Sequence, residues 1–196
     1  LAYRREPDTG WDVPPGVLHA PGSLCTYEPQ FASDVYAMYQ SVLYGGQCVS
    51  EELLWKDCPA EERGNVDYLL DVVDWEINTD PDFKRNRMMK PVFFRGGEGW
   101  KEEKICYLCP LVSASRLTLM PGASVLLRDA GAYGLIALQG FGSVGGRPLE
   151  TPTLIRYGEL TLDEYFVSAR SAEHGVEFVN RSQSQPLVIL KHFAGY

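Results

Sequence analysis

No run of apolar residues in this chain approaches the ~18 needed to cross a bilayer as a helix, so no membrane span is expected. Positive charge is also scarce. Eighteen Lys and Arg stand against 26 Asp and Glu, a formal charge of −8. A phosphate backbone is gripped by clustered cations. The two clusters present, Lys84-Arg85-Asn86-Arg87 and Lys101 to Lys104, are flanked by acids and read as solvated faces. Nucleic acid is excluded as a partner. The five cysteines, Cys25, Cys48, Cys58, Cys106 and Cys109, are odd in number and scattered. They form no disulfide framework and favour reduced thiols in the cytoplasm. Cys106-Tyr107-Leu108-Cys109 has CxxC spacing, but a zinc ribbon needs a second such pair and none exists. The apolar run Ile105 to Val112 around it reads instead as a strand with buried thiols. The first residues, Leu1-Ala2-Tyr3-Arg4-Arg5-Glu6, have neither an initiator Met nor an apolar core, so they are no signal peptide. With the pattern starting mid-strand, the sequence reads as the C-terminal part of a longer polypeptide.

What is abundant is apolar and aromatic material. At 45% hydrophobic and 12% aromatic, 196 residues can bury one large core or two small ones. The most structured short stretch is Pro14-Pro15-Gly16-Val17-Leu18-His19-Ala20-Pro21-Gly22. The two prolines fix φ and Gly16 permits a tight turn, so the chain reaches Val17-Leu18-His19 at a defined angle. After the Pro21-Gly22 turn, Leu24-Cys25-Thr26-Tyr27-Glu28 reads as a strand. A histidine entering a strand, with a carboxylate nine residues on, can place a metal ligand and an acid/base group in the mouth of a small β-barrel. A lone histidine at a strand end is ordinarily structural, and here the surrounding letters argue otherwise.

The run from His19-Ala20 through Glu28 to Ser33-Asp34 resembles the active-site segment of type I phosphomannose isomerases, which are zinc-dependent cupins. In that family a Pro-rich turn precedes a His-Ala pair, a Glu follows nine residues after the His, and a Ser-Asp pair follows the Glu. The resemblance covers residues 11–40 well and the remainder in layout. It implies that His19 binds the metal and Glu28 is the active-site carboxylate, with Gln30 and Asp34 close to the substrate or behind the ligands. The ion is zinc by the resemblance, with iron or manganese as alternatives. The pattern departs at Met38, where the family carries an arginine near the substrate. The other metal ligands are expected from the missing N-terminal half of the same barrel.

Residues 50–90 read as a helical insertion. Acids crowd the first turn of Ser50-Glu51-Glu52-Leu53-Leu54, Pro59 can open a second helix, and Asn65 can cap a third running through Leu69, Val73 and Trp75. Asp67 to Trp75 is also similar to the short helix after the Ser-Asp segment in the isomerases. From Pro91 on, short strands alternate with Gly and Pro: Pro91–Phe94, Ile105–Val112, Ser115–Met120, Ser124–Leu127, Gly134–Gly140, Thr153–Tyr157, Leu160–Leu162, Glu164–Ser168, Gly175–Asn180 and Pro186–Phe193. The expected fold is therefore mainly β, with two cupin (jelly-roll) barrels. Residues 1–49 would form the metal-site part of an incomplete first barrel, 50–90 the insertion and 91–196 the second barrel. The second barrel is expected to be metal-free. Leu126 to Gly140 contains no histidine, His174 stands alone, and His192 reads as structural.

The reaction implied by the resemblance is a metal-dependent aldose–ketose isomerisation of a sugar or sugar phosphate, in a cytoplasmic protein for which a homodimer is plausible from its barrel edge. The alternatives are a cupin of other metal chemistry, such as a dioxygenase, and a non-catalytic sugar-binding or regulatory two-barrel protein. Cupins host many reactions, so the fold alone does not choose among them.

Overall fold

The computed structural model describes every residue except 1, 23, 32–35, 154–156 and 196. The chain divides into two units, Val13–Arg87 and Leu1–Asp12 with Met88–Tyr196.

The unit of residues 13–87 is built from turns and short helices. Among its described residues the one β contact is the isolated bridge between Val42 and Cys48. The strand expected over Leu24–Glu28 forms no ladder among the described residues. A strand needs a neighbouring strand for its N–H and C=O groups, and among the described residues no strand lies paired with that stretch. The helical expectation fares better. Single 3₁₀ turns form at Glu51–Leu53, with the Ser50 hydroxyl capping Glu52 N–H, and at Ala60–Glu62. Asn65 caps α1 (Val66–Asp71) by accepting from Tyr68 N–H. The helix expected to run on to Trp75 breaks after α1. Asp74 instead caps α2 (Trp75–Asn78), and the basic run 84–87 lies in α3 (Phe83–Arg87).

In the other unit, β1 (Gly10–Trp11) pairs with β2 (Met88–Met89). Nine further strands form one antiparallel, curled sheet: β3 (Val92–Gly97), β4 (Trp100–Cys106), β5 (Val112–Leu119), β6 (Ser124–Leu127), β7 (Tyr133–Val144), β8 (Arg147–Thr151), β9 (Glu164–Val167), β10 (Val176–Asn180) and β11 (Leu187–Ala194). Their order is β3-β4-β5-β11-β7-β10-β6, with β8 and β9 also on β7. The short helix α4 (Ala169–His174) joins β9 to β10.

The twelve residues of β7 organise this unit. Its first half pairs with β11 and β9, its second half with β10 and β8. Gly140 marks the changeover. Its φ is +85°, and a Cβ there would lie 2.6 Å from the Pro186 carbonyl oxygen, so the corner excludes any side chain. The strands then enclose a core of Leu117, Leu119, Leu135, Phe178, Leu187 and Ile189, all fully buried. Two sequence expectations shift. Residues 107–111 are a loop between β4 and β5, with Cys106 and Cys109 half-buried as free thiols. Leu160–Leu162 is not a strand, and most of Thr153–Tyr157 lies outside the described residues.

Candidate functional site

The His19 loop is held by one side chain that the sequence did not single out. Asn78, at the end of α2, accepts from Leu18 N–H at 2.9 Å and donates through Nδ2 to the Gly16 carbonyl at 2.8 Å. Gly16 O also accepts at 3.0 Å from the N–H of Asp74, the residue that caps α2 three positions after α1 ends at Asp71. The loop thus lies directly on the helix break. Gly16 has φ +81°, and a Cβ would sit 2.8 Å from Asp74 N and 2.9 Å from Val72 O. Val17 is buried beneath the loop. The signal for Asn78 was its position at a helix C-terminus, where an amide side chain can serve exposed backbone groups of another segment.

His19 itself is exposed, with Nδ1 2.9 Å from the Val17 carbonyl. A carbonyl only accepts, so Nδ1 carries the hydrogen and the neutral ring keeps its lone pair at Nε2. That is how a metal-binding histidine is fixed in one tautomer by its far nitrogen. The rest of the expected constellation is looser. Glu28 is exposed and accepts from Thr26 Oγ1 at 2.8 Å. Gln30 is exposed, and Asp34, with Ser33, lies outside the described residues. Met38 is half-buried, and its N–H donates to Leu53 O at 3.1 Å. Among the described residues no hydrogen bond or ion pair joins His19, Glu28 and Gln30. Nor do three His, Cys, Asp or Glu side chains converge as metal ligands. The residues present fit one ligand position and not a complete centre.

A second polar assembly sits inside the β unit. Along β11 the inward row runs Leu187, Ile189, Lys191; along β5 it runs Leu119, Leu117, Ser115; along β4 Trp100 is followed by Glu102. Each row begins apolar and turns polar towards the same end. Lys191 and Glu102 are 0% and 1% exposed, and Asp129, between β6 and β7, is 8% exposed. Four charges close a ring. Lys191 Nζ lies 3.1 Å from Glu102 Oε1 and 2.7 Å from Asp129 Oδ2. Arg95 on β3 returns the circuit, Nε to Glu102 Oε2 and Nη2 to Asp129 Oδ1, both at 2.6 Å. Ser115 donates to Glu102 Oε1, and Arg95 Nη1 donates to Arg128 O at 2.8 Å. Lys191, Glu102 and Asp129 are thus paired inside the sheet, with Arg95 a quarter exposed at its edge and the Lys104 ammonium within electrostatic reach of all four, and pairing is the condition for burying any of them. The Lys191 ammonium also lies 4.7 Å from the Tyr133 ring centre and 5.3 Å from that of Phe193.

The charged run 101–104, expected as a solvated face, is thus a strand with one carboxylate fully inside. Period two explains it: Lys101 and Glu103 pair outside while Glu102 points in. Burial, then the negative charge of Asp129 and Glu102, pushes the Tyr133 phenol well above its ordinary range. Burial pulls the Lys104 ammonium below its own. His174 is exposed at the end of α4 with Nδ1 2.7 Å from the Arg170 carbonyl. His192 lies on the outer face of β11 across Gly134.

Neither a protein-family model nor a curated protein sequence matches the chain. Among solved structures it is similar to an RmlC-like cupin from Shewanella frigidimarina, at TM-score 0.37 and 15% identity over 54% of this chain and 85% of that one. It is similar in the same degree, TM-score 0.37 and 15% identity, to a sugar phosphate isomerase from a cupin superfamily of Silicibacter pomeroyi, over 54% and 69% of the two chains. A cupin-2 domain from Rhodospirillum rubrum gives TM-score 0.37 and 13% identity over 55% and 70%. These likenesses are distant. Among the described residues no helix is long and apolar enough to cross a membrane.

Proposed function

We propose that this chain is part of a two-barrel, cupin-type, metal-dependent isomerase that interconverts an aldose and a ketose, free or phosphorylated. The observation that carries the reading is the His19 imidazole, fixed through Nδ1 at the Val17 carbonyl and seated on a loop clamped by Asn78. A ring so oriented offers Nε2 as a ligand without loss of rotamer freedom on binding. A divalent ion, zinc in this reading, supplies polarisation of the sugar's carbonyl and hydroxyl oxygens. The ligands beyond His19 come from outside the described residues. Glu28 is the base that moves the proton between adjacent carbons, and an exposed carboxylate is free to do so. Gln30 and Asp34 complete the polar surround of the substrate. The nine-stranded unit is a second barrel whose interior is closed by its own ion pairs.

The test is metal content by elemental mass spectrometry on the intact protein, before and after His19→Ala. About one zinc per chain, lost in the variant together with isomerase activity on a sugar-phosphate panel, is expected. Full metal retention in His19→Ala removes the basis of the assignment. A metal-free wild-type protein returns the chain to a non-catalytic sugar-binding two-barrel protein.

A further inference from the structure

The outer face of the sheet carries a groove where β9, β7 and β11 run side by side. Its volume is about 350 Å³, and Gly134, Ile136, Glu164, Phe166 and His192 line it. That is at the small end of the range for ligand pockets, about 300–1,000 Å³. Strand register builds it. His192 on β11 and Phe166 on β9 both stand opposite Gly134 on β7, and Glu164 stands opposite Ile136. Alternation puts all five positions on one face, while Tyr133 and Leu135 point into the core. The strands β9 and β11 flank β7 and so lie roughly 9–10 Å apart. Because Gly134 has no side chain, the imidazole extends across it: a Cβ there would lie 2.0 Å from His192 Nε2. The ring thereby narrows the gap towards Phe166, which is 76% exposed.

The groove has the chemistry of a cation site. The Glu164 carboxylate at its corner is exposed and makes no hydrogen bond or ion pair among the described residues. Burial holds the His192 imidazole below its ordinary range, against the pull of Glu164, so the ring is neutral at pH 7 and does not repel a cation. The adjoining cation on this face is Arg116, on β5 opposite Leu190, and Glu103 and Asp8 hold it. Lys191 lies on the opposite, inward face. Two flat rings with a carboxylate beside them suit a flat cation. A guanidinium is planar and weakly hydrated, stacks on aromatic faces and grips a carboxylate with two parallel N–H groups. An ammonium is a compact, strongly hydrated point charge and gains less from such walls.

We infer that the groove between His192 and Phe166 binds a guanidinium group, such as that of an arginine, laid against the two rings and paired with Glu164. The site shares no residue with the His19 loop or with the buried ion pairs, and it does not depend on the function proposed above.

The test is titration of the intact protein, followed by amide NMR, with N-acetyl-L-arginine methylamide, free L-arginine and, as the point-charge control, N-acetyl-L-lysine methylamide. Saturable shifts at Gly134 and Phe166 are expected with the capped arginine, weakened by added salt. The capped lysine should bind about tenfold more weakly, lacking a plane to stack and a fixed fork to pair. Glu164→Gln should weaken the capped arginine about tenfold and Phe166→Ala about threefold. Both side chains are exposed, so both variants should keep the wild-type urea midpoint. Preference for the capped form points to an arginine within a polypeptide, preference for the free form to the amino acid, and equal affinity to the guanidinium alone; each supports the site. No saturable shift at Gly134 or Phe166 at tens of millimolar overturns the inference. So does wild-type affinity in both variants, or a capped lysine that binds as well as the capped arginine.

Discussion

Replacing Lys191 by Met tests the ion-pair ring directly. The side chain keeps its volume and its apolar stem, so no cavity opens, and what is removed is one buried positive charge. Its contacts to Asp129 and Glu102 measure 2.7 and 3.1 Å. At an effective dielectric of about 20 these are worth roughly 6 and 5 kcal/mol gross, most of it offset by desolvation. The net loss expected on breaking the ring is about 3–5 kcal/mol, because Glu102 and Asp129 are left sharing Arg95 and one negative charge goes uncompensated. Adding Asp129→Asn restores neutrality, with Arg95 facing Glu102 alone. The double variant should therefore be more stable than Lys191→Met by about 1–2 kcal/mol. The sign with pH is also fixed. An uncompensated buried carboxylate has its folded-state pKa raised above its unfolded value, so the folded state binds more protons and the penalty shrinks as pH falls towards about 5. Urea unfolding followed by circular dichroism reads all three quantities, with the slope m held constant. A loss below ~0.5 kcal/mol in Lys191→Met, or strict additivity with Asp129→Asn, would refute the ring as a coupled unit.

Three further outcomes are expected. Asn78→Ala removes the partner of Leu18 N–H and one of the two donors to Gly16 O, and should cost about 1–3 kcal/mol locally, read as faster amide exchange at Leu18; unchanged exchange there would mean the loop is held by other contacts. Gly140→Ala puts a Cβ 2.6 Å from Pro186 O at φ +85° and should cost about 2–4 kcal/mol in the urea midpoint; a neutral result would show the corner of β7 to be adaptable. Burial holds the His192 imidazole below its ordinary 6.5, against the pull of Glu164. The unfolded ring therefore binds protons more readily, and the contribution of His192 is complete above pH 6.5 and lost as pH falls below it. His192→Asn should flatten that part of the stability profile, and an unaltered slope would assign it to another group.

The sequence determined by itself whatever period and punctuation dictate. Alternating apolar residues between Gly and Pro breaks placed most of the strands after residue 90, but not Trp100–Cys106 or Arg147–Thr151. Asn65 and Ser50 announced their helical turns, and the Pro-Pro-Gly corner announced a rigid approach to His19. These are local choices, settled by φ restriction, capping and the pleat. Tertiary structure decided what depends on partners distant in sequence. Whether Leu24–Glu28 is a strand turns on a neighbour to pair with, and the described residues give it none. The helix across Val72–Asp74 breaks where Gly16 takes the Asp74 N–H, 58 residues away by number. Glu102 looked like one more surface charge in a run of them. It is a core residue because Lys191, 89 positions on, meets it inside the sheet. Burial of a charge is a property of the pair, and no single stretch of sequence carries both members.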